Sequence, residues 1–124
     1  MQAWRLTAQT ELSRLQSLTV AQLAAEVMLR GFGEGDAAGD PTGQTQVSIA
    51  VLLCPDPPVV PKGADRELME QFGPLASEGL GALESALLVR QNQGQTSDLI
   101  FYAPTSLGFA ALGDGEVEAI LEKA

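Results

Sequence analysis

The chain has 124 residues, of which 45% are apolar and 19% are charged, and this length predicts one domain with its own hydrophobic core rather than a two-domain enzyme. Seven Lys and Arg residues stand against sixteen Asp and Glu residues, which gives a net charge of −9. Because the sequence contains no histidine, this balance holds across the physiological pH range. The charge argues against nucleic acids and anionic membranes as partners.

The cysteine content and the N-terminal residues bear on the cellular compartment. Cys54 is the only cysteine, so it cannot form an intramolecular disulfide. The longest apolar run, Ile49 to Cys54, is much shorter than the roughly 20 residues of a membrane span. The first five residues lack the apolar core of a signal peptide. We therefore expect a cytoplasmic protein that does not enter a membrane.

The first segment, residues 1–30, has the apolar spacing of two consecutive N-terminal helices or of one kinked helix, with the junction near Leu18 and Thr19. Leucines three residues apart mark the first helix, and a second apolar series follows them. Thr19 and Gln22 form the sequence pattern of a capping box, which predicts that the second helix begins there. Gly31 and Gly33 are expected to end it.

The middle of the chain predicts a loop, a strand and a connector. Segment 31–46 is polar and rich in glycine, which favours a loop. Segment 47–63 begins with Val47 to Cys54, a run that is apolar except for Ser48 and rich in β-branched residues. This run predicts a central strand covered on both faces. The four prolines that follow it predict an extended connector.

The last segment, residues 64–124, predicts two short helices and a β-hairpin. Asp65 is the expected cap of the first helix, Gly73-Pro74 its end, and Ala76 the approximate start of the second helix. Two apolar runs, Leu87 to Arg90 and Leu99 to Tyr102, flank a polar stretch and predict the two strands of the hairpin.

The chain is expected to end in a further helix. Pro104 ends the second strand of the hairpin. Asp114 or Gly115 is the expected start of the last helix, whose apolar stripe would dock on the core. We treat residues 1–124 as a single domain.

Two motifs indicate a relationship of this last segment to known proteins. The first is Leu83-Glu-Ser-Ala-Leu-Leu-Val-Arg90, and the second is Tyr102-x-x-Thr105-x-x-Gly108. They resemble motifs of the winged helix-turn-helix domains of small bacterial regulators such as the MarR, PadR and ArsR families. Those families usually have Leu-Glu-x-Ala-Gly-Leu-Val-x at the end of the recognition helix and Tyr-x-Leu-Thr-x-x-Gly after the wing.

The resemblance covers residues 68–112 and implies an α+β fold, namely a winged-helix-like core with additional N-terminal helices and a C-terminal helix. In the second motif, Thr105 can cap the next helix through its hydroxyl and Gly108 permits close packing.

The sequence departs from those families in the features that bind DNA. From Glu67 to Glu122 the only basic residue is Arg90, against nine acids, and affinity for phosphates comes mainly from Lys and Arg. Only nine residues separate Gly73 from Leu83, which predicts a shortened recognition helix. The resemblance therefore implies the scaffold and not the DNA contacts.

No catalytic, cofactor-binding or metal-binding residue is predicted. Without histidine, and with one thiol, only carboxylates remain as strong metal ligands, and Cys54 lacks an activating base. Glu34, Asp36 and Asp40 are interpreted as solvated acids of the loop rather than as a Ca²⁺ site. Pro58-Val-Val-Pro61 fits a PxxP ligand but is interpreted as a linker.

Two groups of residues are candidates for binding a partner. The first group lies on the N-terminal helix and consists of Trp4, Leu12 and Leu15. These side chains either cover the chain's own core or form a stripe that binds a second copy. The second group lies at the hairpin tip and consists of Gln91, Gln93 and Gln95. They either donate hydrogen bonds to a protein partner or belong to a plain exposed turn.

The sequence thus predicts a small acidic, non-catalytic protein-interaction or regulatory module that binds a protein partner or forms a homodimer. An alternative is a DNA-binding transcriptional regulator of the winged-helix type with a local basic patch. That patch would be formed by Arg5, Arg14, Arg30, Lys62 and Arg66. A second alternative is an acidic DNA mimic that occupies the nucleic-acid site of another protein.

Overall fold

The computed structural model describes residues 2–33, 45–55, 62–93 and 100–123, with side chains for all of these except residues 2, 3, 92, 93 and 100. In these ranges the chain is mostly helical with one small antiparallel sheet, which agrees with the predicted α+β class. The elements are α1 (Gln2–Gln16), α2 (Val20–Phe32), α3 (Gln46–Leu53), α4 (Ala64–Glu70), α5 (Phe72–Ser85), β1 (Val89–Gln93), β2 (Ile100–Pro104), α6 (Ser106–Asp114) and α7 (Val117–Lys123).

Three of the sequence predictions fall on residues outside these ranges. Most of the predicted glycine-rich loop, with its acids Glu34, Asp36 and Asp40, lies in 34–44. The PxxP motif lies in 56–61, and the centre of the hairpin tip lies in 94–99. These predictions therefore stay predictions.

The two N-terminal helices and the cap between them are confirmed. The Thr19 hydroxyl accepts a hydrogen bond from the Gln22 backbone N–H, and the Gln22 side chain accepts one from the Thr19 backbone N–H. These reciprocal bonds satisfy donors at the start of α2 that have no partner within the helix. Gly33 ends α2 as predicted, whereas Gly31 is a buried residue of the helix that packs against Ile49.

The predicted strand from Val47 to Cys54 is wrong, because this segment forms α3. Thr45 and Ser48 form a second capping box, in which the Thr45 hydroxyl accepts from the Ser48 N–H at 3.1 Å and Ser48 Oγ accepts from the Thr45 N–H at 2.9 Å. Ile49 and Leu53, four residues apart, are both buried. A strand would place Val47 and Val51 on the same face as Ile49 and Leu53, whereas a helix places them on the opposite side, where they are exposed.

The boundary between the next two helices also differs from the prediction. Asp65 is not the cap but lies in the first turn of α4, which Gly63 precedes with a positive φ of 58°. Gly73-Pro74 does not end α4 and instead lies in the first turn of α5. Proline fits there because the N–H that it lacks would have no partner within the helix.

Helix α5 is consequently longer than predicted. It begins at Phe72 rather than near Ala76 and has 14 residues, so the prediction of a short helix here is wrong. It lies at the centre of the molecule, where it packs against both α2 and α3. Its Gly79 faces α2, and a Cβ at this position would lie 2.5 Å from Cγ2 of Val27. The close approach of α2 and α5 therefore requires glycine at position 79.

The predicted hairpin is confirmed, with shifted boundaries. Strands β1 and β2 are antiparallel neighbours, and Val89 pairs with Pro104 while Gln91 pairs with Tyr102. Strand β1 begins two residues later than predicted because Leu87 has a positive φ of 64° and belongs to the turn that leaves α5. Pro104 is the last residue of β2, as predicted.

The C-terminal helices, α6 and α7, pack against the elements described above. Thr105 Oγ1 accepts from the Gly108 N–H at 3.0 Å, which confirms the expected cap of α6. Gly108 contacts the Leu88 carbonyl so closely that a Cβ would collide with it, which confirms its packing role. Helix α7 begins at Val117 and not at the predicted Asp114 or Gly115, because Asp114 is the last residue of α6 and Gly115 ends that helix in the left-handed conformation. It packs against α2.

Candidate interaction surface

The N-terminal candidates for partner binding lie against the chain's own core. Leu12 and Leu15 are buried, with 6% and 0% of their surface exposed. Trp4 is half-buried against the same core, and its indole Nε1 donates to the Pro55 carbonyl at 2.8 Å. Of the two alternatives for these residues, the structure therefore agrees with the first, in which they cover the hydrophobic core of their own chain.

The candidates at the hairpin tip are described only in part. Gln91 is exposed on β1. Gln93 is the last residue of β1, but its side chain is outside the described set, and Gln95 lies in the segment 94–99. The structure therefore brings no tip glutamines together in a described site.

Four charged residues form a closed network between α1 and α2. Glu11 accepts from Arg14 at 2.6 Å and from Arg30 at 2.7 Å, and Glu26 lies 3.0 Å from Arg14 and 3.3 Å from Arg30. Arg30 also donates to the Leu53 carbonyl at the end of α3. The hydrogen bond from Arg14 lowers the pKa of the Glu11 carboxyl, and Arg30 adds to this effect against the opposing influence of partial burial. The network therefore joins three helices.

The remaining basic residues of the proposed DNA-binding patch are also largely paired. Arg5 on α1 lies 2.5 Å from Asp65 on α4, and Arg66 lies 3.2 Å from Glu70 one turn further along α4. The fifth residue, Lys62, is exposed. The arginines that were expected to form a basic patch thus each have a carboxylate partner within this chain.

Helix α3 has an exposed apolar face. Its inner side is buried through Ile49 and Leu53, while Val47, Val51 and Leu52 are 71%, 39% and 40% exposed. In the described ranges α3 is the one helix that has no charged side chain. A helix that is apolar on all sides is normally buried on all sides, so its outer side is an unusual surface for a chain of net charge −9.

A groove of about 320 Å³ runs beside this helix. Its lining is mostly apolar, and we call its two charged and largely exposed residues, Arg66 and Glu70, the edge of the groove. The Gln46 side chain donates to the Gly73 carbonyl at 3.3 Å and so links the start of α3 to the start of α5. The lining residues are Gln46, Val47, Ala50, Val51, Arg66, Met69, Glu70 and Gly73. We call the exposed side of α3 together with this groove the α3 face.

Sequence reasoning missed the α3 face because it assigned this segment to a strand covered on both sides. One signal could have identified a helix here, because Thr45 and Ser48 have the spacing of a cap. In such a helix Ile49 and Leu53 share one side, and Val47 and Val51 fall on the opposite side.

The described residues show no other chemistry at this face. They contain no group of three His, Cys, Asp or Glu side chains placed to hold a metal ion. Every helix in those ranges is too short or too polar to traverse a lipid bilayer. Cys54, next to the end of α3, is buried, and burial raises the pKa of its thiol to about 11. The thiol is therefore protonated at neutral pH.

Comparison of the chain with protein-family models, with curated proteins and with solved structures finds no significant match. The α3 face is accordingly interpreted from its own geometry.

Proposed function

We propose that this chain is a small, acidic, non-catalytic protein-interaction module on a winged-helix-like scaffold, and that the α3 face is its binding surface. One observation carries the proposal: an uncharged apolar helix lies half exposed beside a groove, on a molecule whose net charge is −9. Contiguous exposed apolar surface of this kind marks sites where another macromolecule binds.

The winged-helix-like scaffold is supported by the local geometry of both resemblance motifs. Leu87 has a positive φ at the position where the regulator families usually have glycine, the residue that adopts this conformation most readily. Thr105 caps the helix after the hairpin, and Gly108 makes a backbone contact that a side chain would block. The order of α4, α5, hairpin and α6 is also the order that the resemblance implies.

The charge distribution favours a protein partner over a nucleic acid. Helix α5, which corresponds to the recognition helix in the resemblance, has no basic residue and contains Glu78 and Glu84. Arg5, Arg14, Arg30 and Arg66 are paired with carboxylates, and Arg90 on β1 is exposed and forms no ion pair within the described residues. Phosphates would therefore find few unpaired cations on this surface.

Site-specific photo-crosslinking in cells tests the proposed surface. A benzophenone amino acid at position 47, on the α3 face, is expected to form adducts with a polypeptide, because this position is exposed beside the groove. Position 20, at the start of α2, is half exposed and apolar but lies outside the groove, and it is the matched control. Adducts at neither position, equal adducts at both, or adducts that nuclease removes would overturn the proposal.

A further inference from the structure

We infer that the occupant of the α3 face is a second copy of this chain, with two α3 helices packed across a twofold axis. The inference rests on the proposed function and adds the identity of the partner. Three features of the described residues carry it: the neutrality of α3, the balanced charges at the edge of the groove, and the shape of the helix stripe.

The charge of the molecule limits where two copies can meet. Each copy has a net charge of −9, so most of the surface of one copy repels most of the surface of the other. Helix α3 has no charged residue from Gln46 to Leu53, in contrast to every other described helix. Two copies therefore approach each other with the least repulsion through α3.

The edge of the groove is complementary to itself. It has one cation and one anion, Arg66 and Glu70, and their side chains are 72% and 64% exposed. An ion pair this exposed contributes little to the stability of a single chain, so its partners can be exchanged at little loss. In a twofold interface each contact occurs twice, which allows Arg66 of each copy to pair with Glu70 of the other. A strongly basic partner would instead be repelled by Arg66, and a strongly acidic partner would be repelled by Glu70.

The exposed stripe of α3 also has the shape that a helix pair requires. Val47, Ala50 and Val51 are at positions i, i+3 and i+4 and so share one side of the helix. The Ala50 side chain beside these valines is small and partly buried, so it does not hold the two helix axes apart. Because α3 has only 8 residues, the buried area is small, and we expect a dimer with micromolar rather than nanomolar affinity.

Sedimentation equilibrium over a range of concentrations and salt is the first test. We expect dimers whose affinity rises with NaCl, because salt screens the repulsion between two acidic copies. Val51→Glu should weaken dimerisation by about tenfold or more, because it places a carboxylate in the apolar contact. Leu6→Glu on α1 is the matched control, since Leu6 is 67% exposed outside the groove, and it should leave the dimer unchanged.

Charge exchange at the groove edge is the second test, and it does not depend on apolar substitutions that could disturb folding. Arg66→Glu and Glu70→Arg should each weaken self-association, because each variant has like charges at the edge of the groove. An equimolar mixture of the two variants should form mixed dimers with the affinity of the unaltered chain, because each cation then faces an anion of the other copy. Circular dichroism checks that both variants are folded.

The outcomes separate this inference from the proposed function. A chain that stays monomeric up to about 1 mM overturns the inference that a second copy occupies the α3 face. A dimer that Val51→Glu leaves intact overturns it as well. So does a mixture of charge variants that fails to associate more tightly than either variant alone. If position 47 still forms adducts with a different protein, the α3 face remains a binding surface with another occupant. If position 47 forms no adducts, both proposals fail.

Discussion

Leu87 is an exposed leucine in a backbone conformation that leucine rarely adopts. Its φ is 64° and 70% of its surface is exposed. The Leu88 N–H donates to the Leu83 carbonyl and the Leu87 N–H donates to the Glu84 carbonyl, a pair of bonds that closes the end of α5 as a Schellman motif. Glycine normally occupies this position, because a Cβ in the left-handed conformation costs roughly 1–2 kcal/mol.

Replacement of this leucine should therefore stabilise the fold. We expect Leu87→Gly to raise the free energy of unfolding by about 1 kcal/mol, measured by urea denaturation, because it removes the left-handed strain without removing a buried contact. Leu107→Gly is a suitable control, since Leu107 is 50% exposed on α6 and glycine inside a helix destabilises by about 1 kcal/mol. A loss of stability in Leu87→Gly would mean that this side chain makes a contact that outweighs its strain.

Sequence reasoning succeeded best at residues whose partners lie within four positions along the chain. Thr19 and Thr105 each bond to a backbone N–H three residues later, so the interaction is visible in the sequence alone. The local sequence alone does not decide the place of Gly73-Pro74. This pair can follow one helix or occupy the first turn of the next, and the burial of Phe72 and Leu75 in α5 decides between the two.

At the scale of elements, α3 shows how one strong local pattern can hide a weaker one. An apolar run of eight residues is compatible with a buried strand or with a helix, and β-branched residues favour the strand. Apart from the cap formed by Thr45 and Ser48, the helix is favoured by tertiary contacts that no local pattern contains. Ile49 packs on Gly31 of α2, and the Leu53 carbonyl accepts from Arg30. The exposed side of α3, and with it the candidate surface, was therefore unpredictable once the segment had been assigned to a strand.

The contact of α2 with α5 yields a prediction with a control inside the same helix. Gly79→Ala should lower the free energy of unfolding by about 1–3 kcal/mol, because the new Cβ would collide with the stiff side chain of Val27. Gly81→Ala, two residues later, meets no atom within 4 Å and should raise stability by up to about 1 kcal/mol through helix propensity. Thermal unfolding of both variants distinguishes these effects, and equal shifts in the two would contradict the packing argument.

The ion network of α1 and α2 predicts a pH dependence. Because Arg14 and Arg30 lower the pKa of Glu11 in the folded chain, this carboxyl stabilises the fold fully above its ordinary pKa of about 4.5. The stabilisation disappears as the pH falls through the lower folded pKa. We expect Glu11→Gln to lose about 1–2 kcal/mol at pH 7 and to approach the stability of the unaltered chain at acid pH.

Urea titrations at several pH values measure this difference. Glu70→Gln is the matched control, because its ion pair with Arg66 is exposed and should matter little at any pH. A Glu11→Gln deficit that stays constant down to the acid limit would show that Glu11 acts through shape rather than through charge.

At the scale of the whole molecule, the composition determines the sign of the surface charge but not how the charges are distributed. The sequence predicted an acidic chain of net charge −9, and it left open whether five basic residues meet in space. The structure pairs the four arginines of that set with carboxylates instead. Which charges are paired depends on which helices are adjacent, and that arrangement follows from packing that a single sequence does not display.

The acids without an ion-pair partner predict how the melting temperature depends on salt. Seven acids in the described ranges form no ion pair there, and they are Glu67, Glu78, Glu84, Asp114, Glu116, Glu118 and Glu122. Their mutual repulsion is greatest in the folded chain, and it is screened as the Debye length falls from about 30 Å at 0.01 M to about 8 Å at 0.15 M salt. The melting temperature of the monomer should therefore rise over this range of NaCl.

Neutralising part of this charge should reduce the dependence on salt. The double variant Glu78→Gln with Glu122→Gln removes two unpaired carboxylates from α5 and α7 and leaves the network around Glu11 intact. We expect a higher melting temperature at 0.01 M NaCl and a smaller rise with added salt than in the unaltered chain, because less repulsion remains to be screened. Dilute samples keep the chain monomeric, so self-association does not add to the effect. A melting temperature that falls with salt in the unaltered chain would mean that screening of the Glu11–Arg14–Glu26–Arg30 network outweighs relief of the repulsion.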